Sequence, residues 1–158
     1  MKLKGREKYF WERNFNIKSA AAIPAELKGI TGIDSSHDDE FFFFLTARVT
    51  TIPEIYLRCT NITDLGVQYI CRLQGLRQLT IKDHRHVTKH CLPDINKLGG
   101  LEYLDISKNN IAPEDLLTLT GLNNLKELLI SSDLPEGELA PLLEKLQAHF
   151  PGCEITVY

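Results

Sequence analysis

LEYLDISKNNIAPEDLLTLTGLNN, residues 101–124, divides into two halves with different apolar spacing. Leu101, Leu104 and Ile106 stand at positions 1, 4 and 6 of the segment. Positions 4 and 6 share one face of a short strand, because strand side chains alternate with period two. Pro113 then falls where a first helical residue belongs, and Glu114 and Asp115 follow it at the positive end of the helix dipole. The segment predicts a strand, a turn, a helix and a return.

The same arrangement recurs along the chain. Comparable segments start at Ile52, Leu76, Leu101 and Leu125, and a truncated copy, FPGCEITVY, starts at Phe150. Their apolar positions 1, 4 and 6 are Ile52, Ile55, Leu57; Leu76, Leu79, Ile81; Leu125, Leu128, Ile130; and Phe150, Cys153, Ile155. Helical spacing follows in Leu65, Tyr69, Ile70 and Leu73, and again in Leu139, Leu142, Leu143 and Leu146. Thr63 and Thr88 occupy equivalent places and suit a helix N-cap, where a hydroxyl accepts a bond from a free backbone N–H.

From Ile52 onward the chain resembles the leucine-rich repeat family, LxxLxLxxN/CxL. YLRCTNITDLGVQYI is similar to the cysteine-containing, ribonuclease-inhibitor-like type, with Cys59 at the family's cysteine; LEYLDISKNNI is nearer the asparagine type, with Asn109 or Asn110 in the turn. The resemblance implies an α/β solenoid, a curved parallel sheet of five or six strands with helices on the other side. Counting back from Ile52 reaches a degenerate unit at Leu27, with Ile30 at position 4 and Gly32 at position 6, and FFFFL (residues 41–45) where its helix belongs. Two regions follow: a cap segment, residues 1–26, and the repeat domain, residues 27–158. Tyr9, Phe10, Trp11 and Phe15 are expected to close the open end of the core, as terminal segments of repeat stacks must.

Composition narrows the function. The 158 residues carry 43% hydrophobic and 25% charged side chains, ordinary for one globular domain, and a net charge of -3, which disfavours a nucleic-acid binder. The first residues, MKLKGREKYFWERN, lack an apolar signal region, and FFFFL is too short to span a bilayer. Cys59, Cys71, Cys91 and Cys153 show no secreted-scaffold density, so free thiols and a cytoplasmic setting are expected.

DHRHVTKHC (residues 83–91) gathers three of the five histidines. His84, His86, His90 and Cys91, with Asp83, are the candidates for a metal site, since imidazole and thiolate suit zinc. The spacing matches no established metal motif, and the segment crosses a loop-to-helix junction. A polar turn is the reading preferred, with Val87 doing the work of Ile62 and Ile111, and no cofactor is expected. No nucleophile–base pair, phosphate-cradling loop or paired carboxylate appears, so the chain is not expected to be an enzyme.

The remaining surface is the strand face. Positions 3, 5 and 7 of each strand point away from the core and form ladders across the sheet. The outward residues include Glu54, Tyr56, Arg58; Gln78, Thr80, Lys82; Tyr103, Asp105, Ser107; and, in the last copy, Gly152, Glu154 and Thr156. Tyrosine and arginine anchor interfaces because they bury large areas while keeping a polar contact. Tyr56, Arg58, Lys82, Tyr103 and Asp105 are the candidate contacts to a protein partner, with self-association open to the same face and neither nucleic acid nor membrane expected. LKELLISSDLPEGELAPLLEKLQAHFPGCEITVY, and GIDSSHDDEFFFFL running into EIYLRCTNITD, also resemble mitochondrial ATP synthase subunit s (coupling factor B) and its relatives. That resemblance implies a role in assembling or coupling a respiratory complex.

Overall fold

In the computed structural model, which describes residues 2–158, apolar residues at positions 4 and 6 of successive units lie side by side on one face of a single sheet. The strands are β1 (Ile30–Ile33), β2 (Glu54–Arg58), β3 (Gln78–Lys82), β4 (Tyr103–Asp105), β5 (Glu127–Ile130) and β6 (Glu154–Val157). All pairings are parallel and the spatial order is the sequence order, so each strand sits beside the one that follows it. The sheet is open. The register of Ile55 on Leu79, Leu79 on Leu104 and Leu104 on Leu128 carries the 24- and 25-residue sequence spacing directly into space.

Parallel neighbours require a crossover, and each crossover here is a helical turn on the core side. Among the described residues five α-helices form: α1 (Gly5–Phe15), α2 (Asp39–Thr46), α3 (Asp64–Ile70), α4 (Leu92–Ile95) and α5 (Glu136–His149). The predicted caps hold: Thr63 Oγ1 accepts from Leu65 N and Thr88 Oγ1 from His90 N, both at 3.2 Å. FFFFL lies in α2, whose N-cap Asp38 accepts from Phe41 N at 2.9 Å. The helical phase is not uniformly α. Residues Lys89–Cys91 and Pro113–Thr118 form 3₁₀ turns, and α4, which carries Pro93, extends for only four residues.

One apolar core runs the length of the stack, from Phe42 and Leu45 under α2 through Ile55, Leu57, Leu79, Ile81 and Leu104 to Leu128 and Leu146. At its first end α1 buries Phe10 and Trp11, whose rings meet Phe15, Phe41 and Phe44. Two expected core positions fail. Tyr9 is 62% exposed, with Phe10 and Trp11 the buried side chains of α1, and Leu65 is 46% exposed, with Val67 and Ile70 filling the space under α3 instead.

The last strand is shifted from its predicted alignment. Glu127 pairs with Glu154, Leu128 with Ile155 and Ile130 with Val157. Ile155 and Val157 therefore take positions 4 and 6, where Cys153 and Ile155 were expected. Two additional residues are absorbed by the turn after α5, in which Phe150 N bonds Leu146 O and Gly152 adopts a φ of 78°. Outward residues of β6 keep their parity, but Gly152 leaves the ladder and Tyr158 enters it.

Candidate functional site: the strand face

Beyond each strand the chain turns through a residue with left-handed backbone: Asp34, Cys59, Asp83 and Lys108, at φ 47°, 51°, 65° and 57°. Such a φ is costly for side chains other than glycine and, less so, aspartate or asparagine. It recurs because the next backbone N–H must swing away from the ladder. That N–H then needs a side-chain acceptor. Thr60 N finds His84 Nε2 at 3.1 Å and His84 N finds Asn109 Oδ1 at 2.8 Å, while in the following turn the left-handed residue's own N–H, Lys108 N, finds Ser131 Oγ at 2.8 Å. Asn109 also donates to Ile81 O at 2.6 Å.

These bonds place His84 of DHRHVTKHC in the turn. His84 is 3% exposed and serves as a hydrogen-bonding post between two turns. Burial depresses its pKa to about 4, partly opposed by the neighbouring Asp83 charge. His86 and His90 are exposed, with His86 Nε2 accepting from Arg85 Nε at 3.2 Å. Cys91 is 1% exposed in the core, and burial first, then the charge of Asp64, pushes its thiol up to about 12. Among the described residues no three His, Cys, Asp or Glu side chains converge as metal ligands would. Cys59 is also displaced from its expected role: it occupies the left-handed position, its thiol donating to Asp83 Oδ2 at 3.4 Å, and the turn-tying position is the next residue, Thr60. The alignment of Thr60, His84 and Asn109 was present in the repeat spacing, and it identifies the buried histidine.

On the strand face, the outward row at position 7 now reads Ile33, Arg58, Lys82, Ser107, Ser131 and Tyr158. Arg58 is exposed at the rim, and Tyr56 and Tyr103 are half-buried. Burial pushes the Tyr103 hydroxyl pKa up, with the charges of Asp105 and Glu127 adding to it. Asp105 departs from the expectation of an exposed contact. It is 4% exposed, with Thr80 at 4% and Ser107 at 0%, although all three point away from the core. Their cover comes from the face itself. Lys82 reaches over the small serine side chains until its Nζ lies 4.4 Å from the centre of the Tyr158 ring, and 3.9 Å from Asp105 Oδ2. Beneath it, Asp105 Oδ1 accepts from Ser107 N at 2.9 Å and Ser107 Oγ at 2.6 Å. Exposed residues thus ring a buried polar centre.

A cleft of about 430 Å³ flanks Tyr103, lined by Arg77, Gln78, Glu102, Lys126 and Glu127. Glu102 is held there by Lys126 Nζ at 2.6 Å, which lowers its pKa. A second cleft, about 410 Å³, lies between α1 and α2, over the Phe10, Phe41 and Phe44 rings, with Arg6 paired to Glu40 across it. No helix among the described residues is long and apolar enough to cross a membrane. No family model matches the chain, and no curated protein matches it either.

Proposed function

We propose that the chain is a leucine-rich repeat solenoid that binds a protein partner through its strand face, without chemistry of its own. The observation carrying this reading is the alignment of six parallel strands, which turns scattered polar and aromatic residues into one continuous surface. Tyr56 and Tyr103 stand half-buried on that surface and Arg58 stands at its rim. Such side chains bring large contact areas at low entropic cost, and a partly buried tyrosine has already lost much of its rotamer freedom. The dispersal of the histidines leaves no observation favouring a metal-dependent role. If the partner belongs to a respiratory complex, as the resemblance to ATP synthase subunit s implies, the same surface would serve assembly.

Affinity capture from a native lysate tests the reading. Wild type is compared with Tyr56→Ala/Tyr103→Ala and with Lys145→Ala on the exposed side of α5. The strand-face pair should lose the captured protein and the helix variant should keep it. Retention by the strand-face pair, or loss by the helix variant alone, sets the interface elsewhere.

A further inference from the structure

We propose that the Asp105 carboxylate and the Tyr158 ring form a subsite for a primary ammonium group, occupied from within by Lys82, and that a lysine side chain of the protein partner takes Lys82's place. The inference rests on the strand-face reading and names the chemistry of the partner group that the face receives.

Three features carry it. The carboxylate is built for a cation: Asp105 is 4% exposed, and its Oδ1 is held by two donors from Ser107, so Oδ2 is left to face outward. A buried carboxylate with one open oxygen calls for a positive charge. Tyr158 supplies the second wall, since the face of an aromatic ring attracts a cation within about 6 Å of its centre. Last, the resident cation fits loosely. Lys82 Nζ stands 3.9 Å from Oδ2, beyond the range of a charge-assisted hydrogen bond, while it also leans on the ring at 4.4 Å. Its backbone is fixed in β3, one strand away from Asp105, while Tyr158 follows β6 and its ring leans back over the strands between.

A lysine entering from above approaches Oδ2 without that constraint and makes the short bond that Lys82 misses. Ammonium is favoured over guanidinium because the arginine fork needs both carboxylate oxygens, and Ser107 holds one. Lys82, once displaced, swings to the rim beside Arg58, where it meets acidic groups on the partner. The arrangement keeps Asp105 paired in the free protein and makes the central contact selective for a partner carrying a lysine.

Butylammonium titrated into the labelled protein, read by NMR shifts of the Tyr158 ring, tests the subsite without a partner. Lys82→Ala should bind it saturably, and wild type should need about tenfold more because Lys82 competes. Adding Asp105→Asn to Lys82→Ala should weaken binding about tenfold, and butylguanidinium should bind less tightly than butylammonium. Should Asp105→Asn disturb folding, Tyr158→Leu in the Lys82→Ala background removes the other wall and should weaken binding likewise. No saturable shift in Lys82→Ala, or binding indifferent to the loss of either wall, overturns the subsite. Because the titration uses no partner, its outcome is separate from that of the capture comparison: a subsite that binds butylammonium beside a strand face that captures nothing rejects the interface and keeps the cation site.

Discussion

Thr60 and His84, 24 residues apart, meet through two hydrogen bonds on one imidazole nitrogen: the Thr60 backbone N–H lies 3.1 Å and its hydroxyl 2.9 Å from His84 Nε2. Accepting from a backbone N–H requires that Nε2 carry no proton, so the ring is neutral with its proton on Nδ1. Nδ1 is buried and has no partner among the described residues. Protonating Nε2 would break the tie and place a charge in the turn.

Stability should therefore depend on pH through His84. Its folded pKa, about 4, lies below the ordinary 6.5, so the unfolded chain binds the proton more readily. The stabilisation is complete above pH 6.5 and is lost as pH falls from there toward 4, up to roughly 3 kcal/mol from this residue. His84→Asn offers an amide acceptor like that of Asn109 without a titrating group. Urea midpoints at pH 7 and pH 4.5 should differ more for wild type than for His84→Asn. An equal difference in the two proteins would show that His84 does not carry the dependence.

The helix starts are tied by carboxylates in the opposite direction. Asp39 accepts from Thr63 N and Oγ1 at 2.8 and 2.7 Å, and Asp64 accepts from Thr88 N and Oγ1, both at 2.7 Å. Asp64→Ala should cost about 2 kcal/mol, since it strands a backbone donor and removes charge-assisted bonds. Combined with Thr88→Val, the loss should be less than the sum of the single losses, because both act on one joint. Denaturant unfolding of the four proteins measures this, and strict additivity would place the two residues in separate interactions.

At Gly121 the neighbouring unit leaves no room for a side chain. Its N–H donates to Asn96 Oδ1 at 2.7 Å, and an added Cβ would run into the Asn96 backbone carbonyl. Backbone cannot step aside as a side-chain tip can, so Gly121→Ala should destabilise by about 3 kcal/mol. Gly100→Ala meets nothing within 4 Å and is the matched control. Thermal melts of the pair should separate clearly; similar melts would show that the two turns slide apart at little cost.

Thiol reactivity should follow burial. Cys91 and Cys153 are 1% and 3% exposed, and burial raises their pKa values to about 12 and about 11. At pH 8 the thiolate of Cys91 is scarce enough to slow its modification about a thousandfold relative to an ordinary thiol. Peptide mapping after a timed disulfide-reagent pulse should find Cys59 modified first, being only partly covered, and Cys91 only after unfolding. Early labelling of Cys91 would reveal local opening of the second unit.

How much of this was legible beforehand depended on whether a residue answers to a local rule or to a neighbour. Ile55, Leu79, Leu104 and Leu128 were legible because period-two alternation repeated at constant spacing, and Thr63 and Thr88 because capping is local. The shift of β6 was not, since the length of the turn after α5 is set by how Phe150 packs, at 5% exposure, rather than by the repeat. Asp105 shows the same limit on the binding face. Alternation places it outward correctly, yet its burial depends on Lys82 and Tyr158, strands away, meeting above it. His84 reads as a candidate ligand by residue type alone, whereas its place level with Thr60 and Asn109 in successive turns is what fixes its hydrogen bonds.

The two sets of inter-unit bonds run in opposing directions along the chain. Thr60 waits for His84 in the following unit, whereas Thr88 finds Asp64 already in place in the preceding one. For a chain leaving the ribosome, a newly made turn keeps an unfilled donor until some 25 further residues have emerged, while the helix start arriving with them is already provided for. Growth of the structure would then resemble a zipper whose last tooth is always half engaged, and a pause in synthesis within the second unit would leave Thr60 exposed to water until His84 is translated.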